Sequence, residues 1–313
     1  MNHIKNFKNL TKKDVGIAGG KGASLGEMIK TNIPVPPGFV VLASAFDRFL
    51  EETDLIQAVQ AELDKVNYED VNSVDGASSV IRDLIHDVEM PKDLEREIIS
   101  NFKKLKTKFV AVRSSATAED SSVASWAGEL ESFLNTTEKD ILENVKKCWS
   151  SLFTPRAIFY RHEKKLLETH VSVAVVVQKM VDSEKSGICF TVHPVTEDRN
   201  QMIIEAGWGL GEAIVSGSIT PDSYVVNKKT MEMIDVNVSG QDRKLVRCLK
   251  KRIKWVSVSK SEKNKQVLPE KEIVNLAKLC IKIEKHYKKP QDIEWAYEKK
   301  KFYITQSRPI TTL

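Results

Sequence analysis

QDIEWAYEKKKFYITQSRPI, residues 291–310, alternates apolar with polar residues on both sides of a lysine-rich break. Period-2 alternation is the pattern of a strand with two unlike faces, so the stretch reads as a terminal hairpin. If Lys299–Lys301 form a three-residue turn, Glu294 stands opposite Gln306 and Asp292 opposite Arg308. Opposite residues on antiparallel strands point to the same face, and a slip of one residue would scatter them. One face then carries two acids, an amide and a guanidinium; the other holds Ile293, Trp295, Tyr297 and Tyr303 for burial. Three-residue hairpin loops favour glycine at the left-handed position, and none is present. An acid beside an amide oxygen suits Mg²⁺, which takes one or two carboxylates and leaves room for phosphates. The same residues also read as a surface ion pair contributing roughly 0–1 kcal/mol.

Upstream of the hairpin, residues 270–288 predict a helix with Ile273, Leu276, Ala277, Cys280 and Ile283 on one face, stopped by Pro290. SGICFTVHP, QMIIEA and DSYVVNK are short strands split by glycines, the mark of a mostly antiparallel sheet. VSVAVVVQKMV (171–181) is a central strand by its β-branched content. Residues 44–108 and 138–165 are predicted helical, VPPGFVV (35–41) starts a strand, and FVAVR (109–113) is a short buried strand ending in Arg113. We expect a mixed α/β chain of two lobes with the boundary near 183–186. Residues 1–185 form a helix-rich α/β lobe; 186–313 form an antiparallel sheet with a helix and the hairpin.

Two glycine-rich loops invite a phosphate reading. GGKGAS (19–24) is not a P-loop, because no glycine stands five positions before Gly20, and neither it nor GWGLGE (207–212) gives GxGxxG. Both loops still expose backbone N–H groups suited to phosphate oxygens, and Lys21 adds charge to one of them. Taken alone, such a loop is more often a plain structural turn. Arg113, ending a strand before the hydroxyl-rich SSATAEDSSVAS, is placed to pair with a phosphate. Its alternative is an ion pair with Glu119 or Asp120.

The 313-residue chain is 41% hydrophobic and 29% charged, ordinary values for a globular protein. Its longest apolar run, VSVAVVV, is too short to span a bilayer, and MNHIKNFKNL has neither the apolar core nor the cleavage site of an export signal. Cys148, Cys189, Cys248 and Cys280 lie far apart without a CxxC and read as reduced packing residues of a cytoplasmic protein. Net charge is +5, with lysines crowding 227–301. Interspersed acids make that a solvated face, not a nucleic-acid surface.

GGKGASLGEM, VAVRSSATAED, SWAGELESFLN, VVVQKMV, SGICFT, GWGLGEAIVSGSITPDSYVV and QDIEWA…YITQSRPIT occur in this order. Together they resemble the ATP-binding (PEP/pyruvate-binding) domain of phosphoenolpyruvate synthase, pyruvate phosphate dikinase and rifampicin phosphotransferase, from residue 12 to 312. The resemblance implies an ATP-grasp fold, with ATP held between two lobes and one or two Mg²⁺. By matching positions it implies that Lys21 and Arg113 bind phosphates, that Gly128 and Ser132 touch the phosphate tail, and that Gln178 lies near the adenine. Glu294 and Gln306 would hold metal with Asp292 beside them, and Arg308 would sit on the phosphates. Lys21, Arg113 and Arg308 would be the catalytic charges. The chain departs from the family pattern at Glu129 and Ser132, where AGQ and a downstream threonine are usual, and at Lys299–Lys301, where the turn usually has glycine.

Full-length relatives carry a mobile histidine after Gly-Gly-x-x-Ser. None of His3, His86, His162, His170, His193 or His286 has that context, and the chain stops at RPITTL, where a linker would begin. The expected activity is transfer of the β,γ-diphosphoryl end of ATP to a histidine on a carrier domain, excised or encoded separately. The alternatives are an ATP-binding sensor or adaptor, and an ATP-grasp carboxylate ligase releasing ADP.

Overall fold

A computed structural model describes residues 2–117, 131–166, 171–248 and 253–311. The chain divides into two compact units, Met1–Glu27 with Pro37–Met180, and Met28–Pro36 with Val181–Leu313.

The first unit contains strand β1 (Ile4–Asn6), most of helix α1 (Val15–Lys30), β2 (Gly38–Val41), and helices α2 (Ala43–Glu52), α3 (Leu55–Leu63), α4 (Val71–Asp87) and α5 (Lys92–Lys104). There follow β3 (Val110–Ala116), β4 (Ser132–Thr136), α6 (Ile141–Ser150), α7 (Pro155–Glu163) and β5 (Val173–Lys179). The strands form an antiparallel sheet in the order β1-β2-β5-β3-β4, with the valine-rich β5 at its centre. Phe39, Val41, Val110, Val112, Val173, Val175 and Val177 share one core with the apolar faces of α2 to α7, including Phe46, Ile81, Leu94, Ile98, Trp149 and Ile158. Period-2 alternation therefore leaves Val40, Ala111, Arg113, Val176 and Gln178 on the face away from those helices.

The second unit contains β6 (Lys185–Phe190), β7 (Gln201–Trp208), a short helix α8 (Glu212–Val215), β8 (Asp222–Asn227), β9 (Met233–Asn237), and the paired strands β10 (Arg243–Arg247) and β11 (Ile253–Ser257). Helix α9 (Glu270–Tyr287), β12 (Gln291–Glu298) and β13 (Lys301–Pro309) complete it. Its six-stranded antiparallel sheet runs β13-β12-β6-β7-β8-β9. Ile273, Leu276, Ala277, Cys280 and Ile283 of α9 are all buried, as the helical spacing predicts. Cys148, Cys189 and Cys280 are buried packing residues and Cys248 is half-buried, all four as free thiols. Among the described residues no helix is long and apolar enough to cross a membrane.

The strand holding Arg113 is longer than its apolar run. β3 continues to Ala116, so Arg113 stands in mid-strand instead of at the end. Ser114 and Ser115 can remain in the buried strand because their hydroxyls are satisfied. Ser114 Oγ bonds the Glu131 and Cys148 carbonyls, and Ser115 Oγ donates to the Ala18 carbonyl at 3.1 Å.

Candidate functional site

In the first unit the glycine turn around Lys21 is moulded onto β3. Gly19 interrupts α1 with φ 67° and ψ 171°, a combination open in practice only to glycine. A Cβ there would lie 2.1 Å from Ser115 Oγ and 2.3 Å from its carbonyl oxygen. The Gly22 amide donates to Ser115 Oγ at 3.4 Å, and a Cβ on Gly22 would lie 3.0 Å from Val40 Cγ2. Ser115 is two residues from Arg113, and Val40 is opposite Val176, itself opposite Arg113. The turn bearing Lys21 thus lies on the Arg113 face of the sheet.

Ser132 pairs directly with Arg113, and Gln178 pairs with Ala111, one side-chain repeat along that face. Lys21, Arg113, Ser132 and Gln178 are therefore gathered on one face of one sheet. Gln178 is 3% exposed, and its Nε2 is buried without an acceptor. A buried amide donor left unmet costs about 1–3 kcal/mol, which an acceptor arriving with a ligand would relieve. Gly128 and Glu129 lie outside the described residues, as do Glu119 and Asp120, the alternative partners of Arg113.

In the second unit the hairpin pairs Glu294 with Gln306 and Asp292 with Arg308. The route to this register differs from the expected one. The turn has two residues, Lys299 (φ 51°) and Lys300 (φ 63°), and Glu298 pairs with Lys301. A bulge between Glu294 and Trp295 then absorbs one residue of β13 and restores the pairing. It also moves Tyr303 opposite Ala296, off the aromatic face. Phe302 takes its place, 5.6 Å from Trp295 and 4.7 Å from Tyr297, centroid to centroid.

Arg308 donates from Nε (3.0 Å) and Nη2 (2.8 Å) to Asp292 Oδ2. Burial nevertheless outweighs this pairing and leaves the Asp292 carboxyl raised above its ordinary range, with Glu294 nearby adding to the effect. A third carboxylate escapes a reading confined to the hairpin. Glu205 on β7 pairs with Ile188, which pairs with Glu294, so Glu205 and Glu294 stand in one row across β6. Burial raises Glu205 too, with Asp292 contributing. Its sequence signal is the alternation of QMIIEA, in which Gln201, Ile203 and Glu205 share a face.

Asp292, Glu294 and the Gln306 amide oxygen fit a hard cation that keeps water and phosphate ligands. Among the described residues no group of three or more His, Cys, Asp or Glu side chains is gathered as a metal cage. A site of one or two carboxylates is consistent with that.

The second glycine loop is architectural. The amides of Trp208, Gly209 and Leu210 donate to Gln241 Oε1 (3.0 Å), the Glu184 carbonyl (3.0 Å) and the Leu245 carbonyl (2.8 Å). Gly209, at φ 84°, has no room for a Cβ against Leu245. The buried Asp222 of the TPDSY stretch is likewise engaged, by Tyr224 Oη, the Ser239 and Val267 amides and Gln241 Nε2.

The whole-chain pattern fits a known family. Residues 15–313 match the model of the pyruvate phosphate dikinase AMP/ATP-binding domain. The chain belongs to that family. The domain is of the ATP-grasp type, in keeping with two α/β units built on antiparallel sheets. A probable phosphoenolpyruvate synthase of Methanocaldococcus jannaschii is 49% identical, matching 100% of this chain and 27% of its own length. One from Methanothermobacter thermautotrophicus is 46% identical, over 99% of this chain and 46% of its length. The phosphoenolpyruvate synthase of Pyrococcus furiosus is 41% identical, over 99% and 44%. The chain thus spans between about a quarter and a half of these relatives.

Proposed function

We propose that the chain is the nucleotide-activating part of a phosphoenolpyruvate-synthase-like phosphotransferase. It binds ATP with Mg²⁺ and presents the β-phosphorus to a histidine on a separate carrier domain. Attack by the imidazole nitrogen breaks the α–β anhydride, AMP leaves, and the γ-phosphate is later released to water. Lys21, Arg113 and Arg308 neutralise phosphate oxygens, Ser132 and Gly128 touch the phosphate tail, and Gln178 lies by the adenine. Glu294 and Gln306, with Asp292 beside them, hold Mg²⁺, which when bound offsets charge building on the phosphates. With no covalent nucleophile offered by the chain, its contribution is positioning and charge stabilisation.

The observation that carries this reading is the hairpin register, which brings an acid–amide pair and an acid–guanidinium pair onto one sheet face in a family of ATP-binding domains. A carrier in trans is supported by how the chain's own histidines are used. His3 contacts Ser44 and His86 contacts Ser150, while His162 stacks on Tyr68. His286 packs edge-on to Tyr287, and His193 Nδ1 accepts from the amides of Val195 and Thr196. His170 lies outside the described residues.

The test is incubation with β-labelled Mg-ATP. The chain alone should stay unlabelled, and adding a histidine-carrier domain of this family should label the carrier and release AMP. Acid-labile label on the chain itself, lost in His193→Ala, would overturn the reading. ADP as product would indicate a carboxylate ligase, and ATP binding without turnover beside any carrier would indicate a sensor.

A further inference from the structure

Arg161 on α7 is 9% exposed, and its Nε is buried without a hydrogen-bond partner. Among the described residues no ion pair joins it to a carboxylate, and the Tyr68 phenol acts on it electrostatically. Buried arginines are nearly always paired, because desolvating an unpaired guanidinium costs several kcal/mol. Tyr68, in the turn between α3 and α4, stacks on His162 with ring centroids 3.9 Å apart and planes 9° apart. Phe159, 43% exposed, leans on His162 at 6.4 Å. Asp64, which acts on Tyr68, accepts from Gln60 Nε2 at 2.6 Å.

We propose that Arg161 and Tyr68, beside the His162 ring, form a binding site for a small oxyanion in the helical layer of the first unit. The site is apart from the sheet face that carries Lys21 and Arg113. A guanidinium edge presents two parallel N–H donors that match two oxygens of a phosphate or carboxylate, and the phenol supplies a third donor. Bound there, the anion is the counter-charge that the described residues do not provide. The competing explanation is an arginine kept for its stem, which covers apolar surface.

The experiment is thermal unfolding of the whole chain against increasing inorganic phosphate at constant ionic strength, with acetate as a parallel arm. The variants are Arg161→Met, Arg161→Lys, Tyr68→Phe and Arg113→Ala. A ligand that binds only the folded state raises Tm saturably. The rise should appear in the wild type and persist in Arg113→Ala. It should shrink in Arg161→Met to what the nucleotide site alone gives, and need roughly tenfold more anion in Arg161→Lys, which keeps the charge but loses the fork. Tyr68→Phe should also need more anion. Acetate acting in place of phosphate would identify the ligand as a carboxylate. Equal anion response in wild type and Arg161→Lys, or a rise lost in Arg113→Ala yet kept in either Arg161 variant, would overturn the proposal. Because Arg161→Lys keeps the stem and the charge, the comparison survives if the methionine variant fails to fold.

Discussion

Gly19→Ala should damage the protein in a way that Gly16→Ala, three residues earlier in the same helix, does not. At Gly19 the added methyl meets Ser115 Oγ at 2.1 Å and its carbonyl oxygen at 2.3 Å, whereas ordinary contact begins near 3.4 Å. Because part of the obstacle is backbone, no side-chain rotation relieves it, and the turn must lift by about 1 Å. Lifting it removes the Gly22 amide and the Ala18 carbonyl from Ser115 Oγ, a hydroxyl that is 0% exposed. Stranding a buried hydroxyl costs about 1–3 kcal/mol. Holding alanine in a glycine-only backbone region costs about 1–3 kcal/mol more. A loss of roughly 2–6 kcal/mol is therefore expected, large against the 5–15 kcal/mol of a typical domain. At Gly16 nothing stands within 4 Å of the added carbon, so alanine should stabilise by about 0.5–1 kcal/mol through helix propensity.

Urea denaturation gives the stabilities, and calorimetric titration with Mg-ATP reads the function. With Lys21 on a phosphate as proposed, displacing it by about 1 Å should remove a charge-assisted hydrogen bond of ~1.5–3 kcal/mol, roughly a ten- to hundredfold loss of affinity. A Gly19→Ala protein as stable as the wild type would refute the placement of the turn on β3. A destabilised protein with unchanged ATP affinity would leave the turn as architecture and remove Lys21 from the phosphates.

Glu294→Gln should make ATP affinity respond much less to Mg²⁺ than in the wild type, because a hard cation prefers a carboxylate; equal Mg²⁺ dependence would return Glu294 to a structural role. Replacing Lys299 and Lys300 by Asn-Gly should raise stability by about 1–2 kcal/mol, since both lysines sit at positive φ in a two-residue turn that favours that pair; unchanged urea midpoints would count against the turn geometry. Burial holds the His86 imidazole below its ordinary range, so as pH falls through about 6.5 the unfolded chain takes up the proton first and stability declines. Urea midpoints at pH 7.5, 6 and 5 should fall in the wild type and flatten in His86→Gln, and parallel curves would exclude His86 as the cause.

How far the sequence reaches depends on whether a feature is set by a local period or by distant packing. Alternation and a short break point to the pairing of Glu294 with Gln306, but the fold reaches it through a two-residue turn and a compensating bulge instead of a three-residue turn. The same local logic misassigned Tyr303, since a bulge does not announce itself in the residue pattern and shifts everything between it and the turn. Arg113 was expected at a strand end because hydroxyls read as loop. In the fold, buried carbonyls satisfy Ser114 and Ser115 and the strand runs on. The two glycine loops looked alike in composition, yet they separate physically. In GWGLGE three successive amides are taken by the protein itself, while Gly19 shapes a turn around a lysine on the Arg113 face. Glu205 could not be linked to Asp292 and Glu294 without the strand order, because β6 lies between them and some ninety residues of sequence intervene. The residues hardest to read from the sequence are therefore those whose partners lie across a sheet.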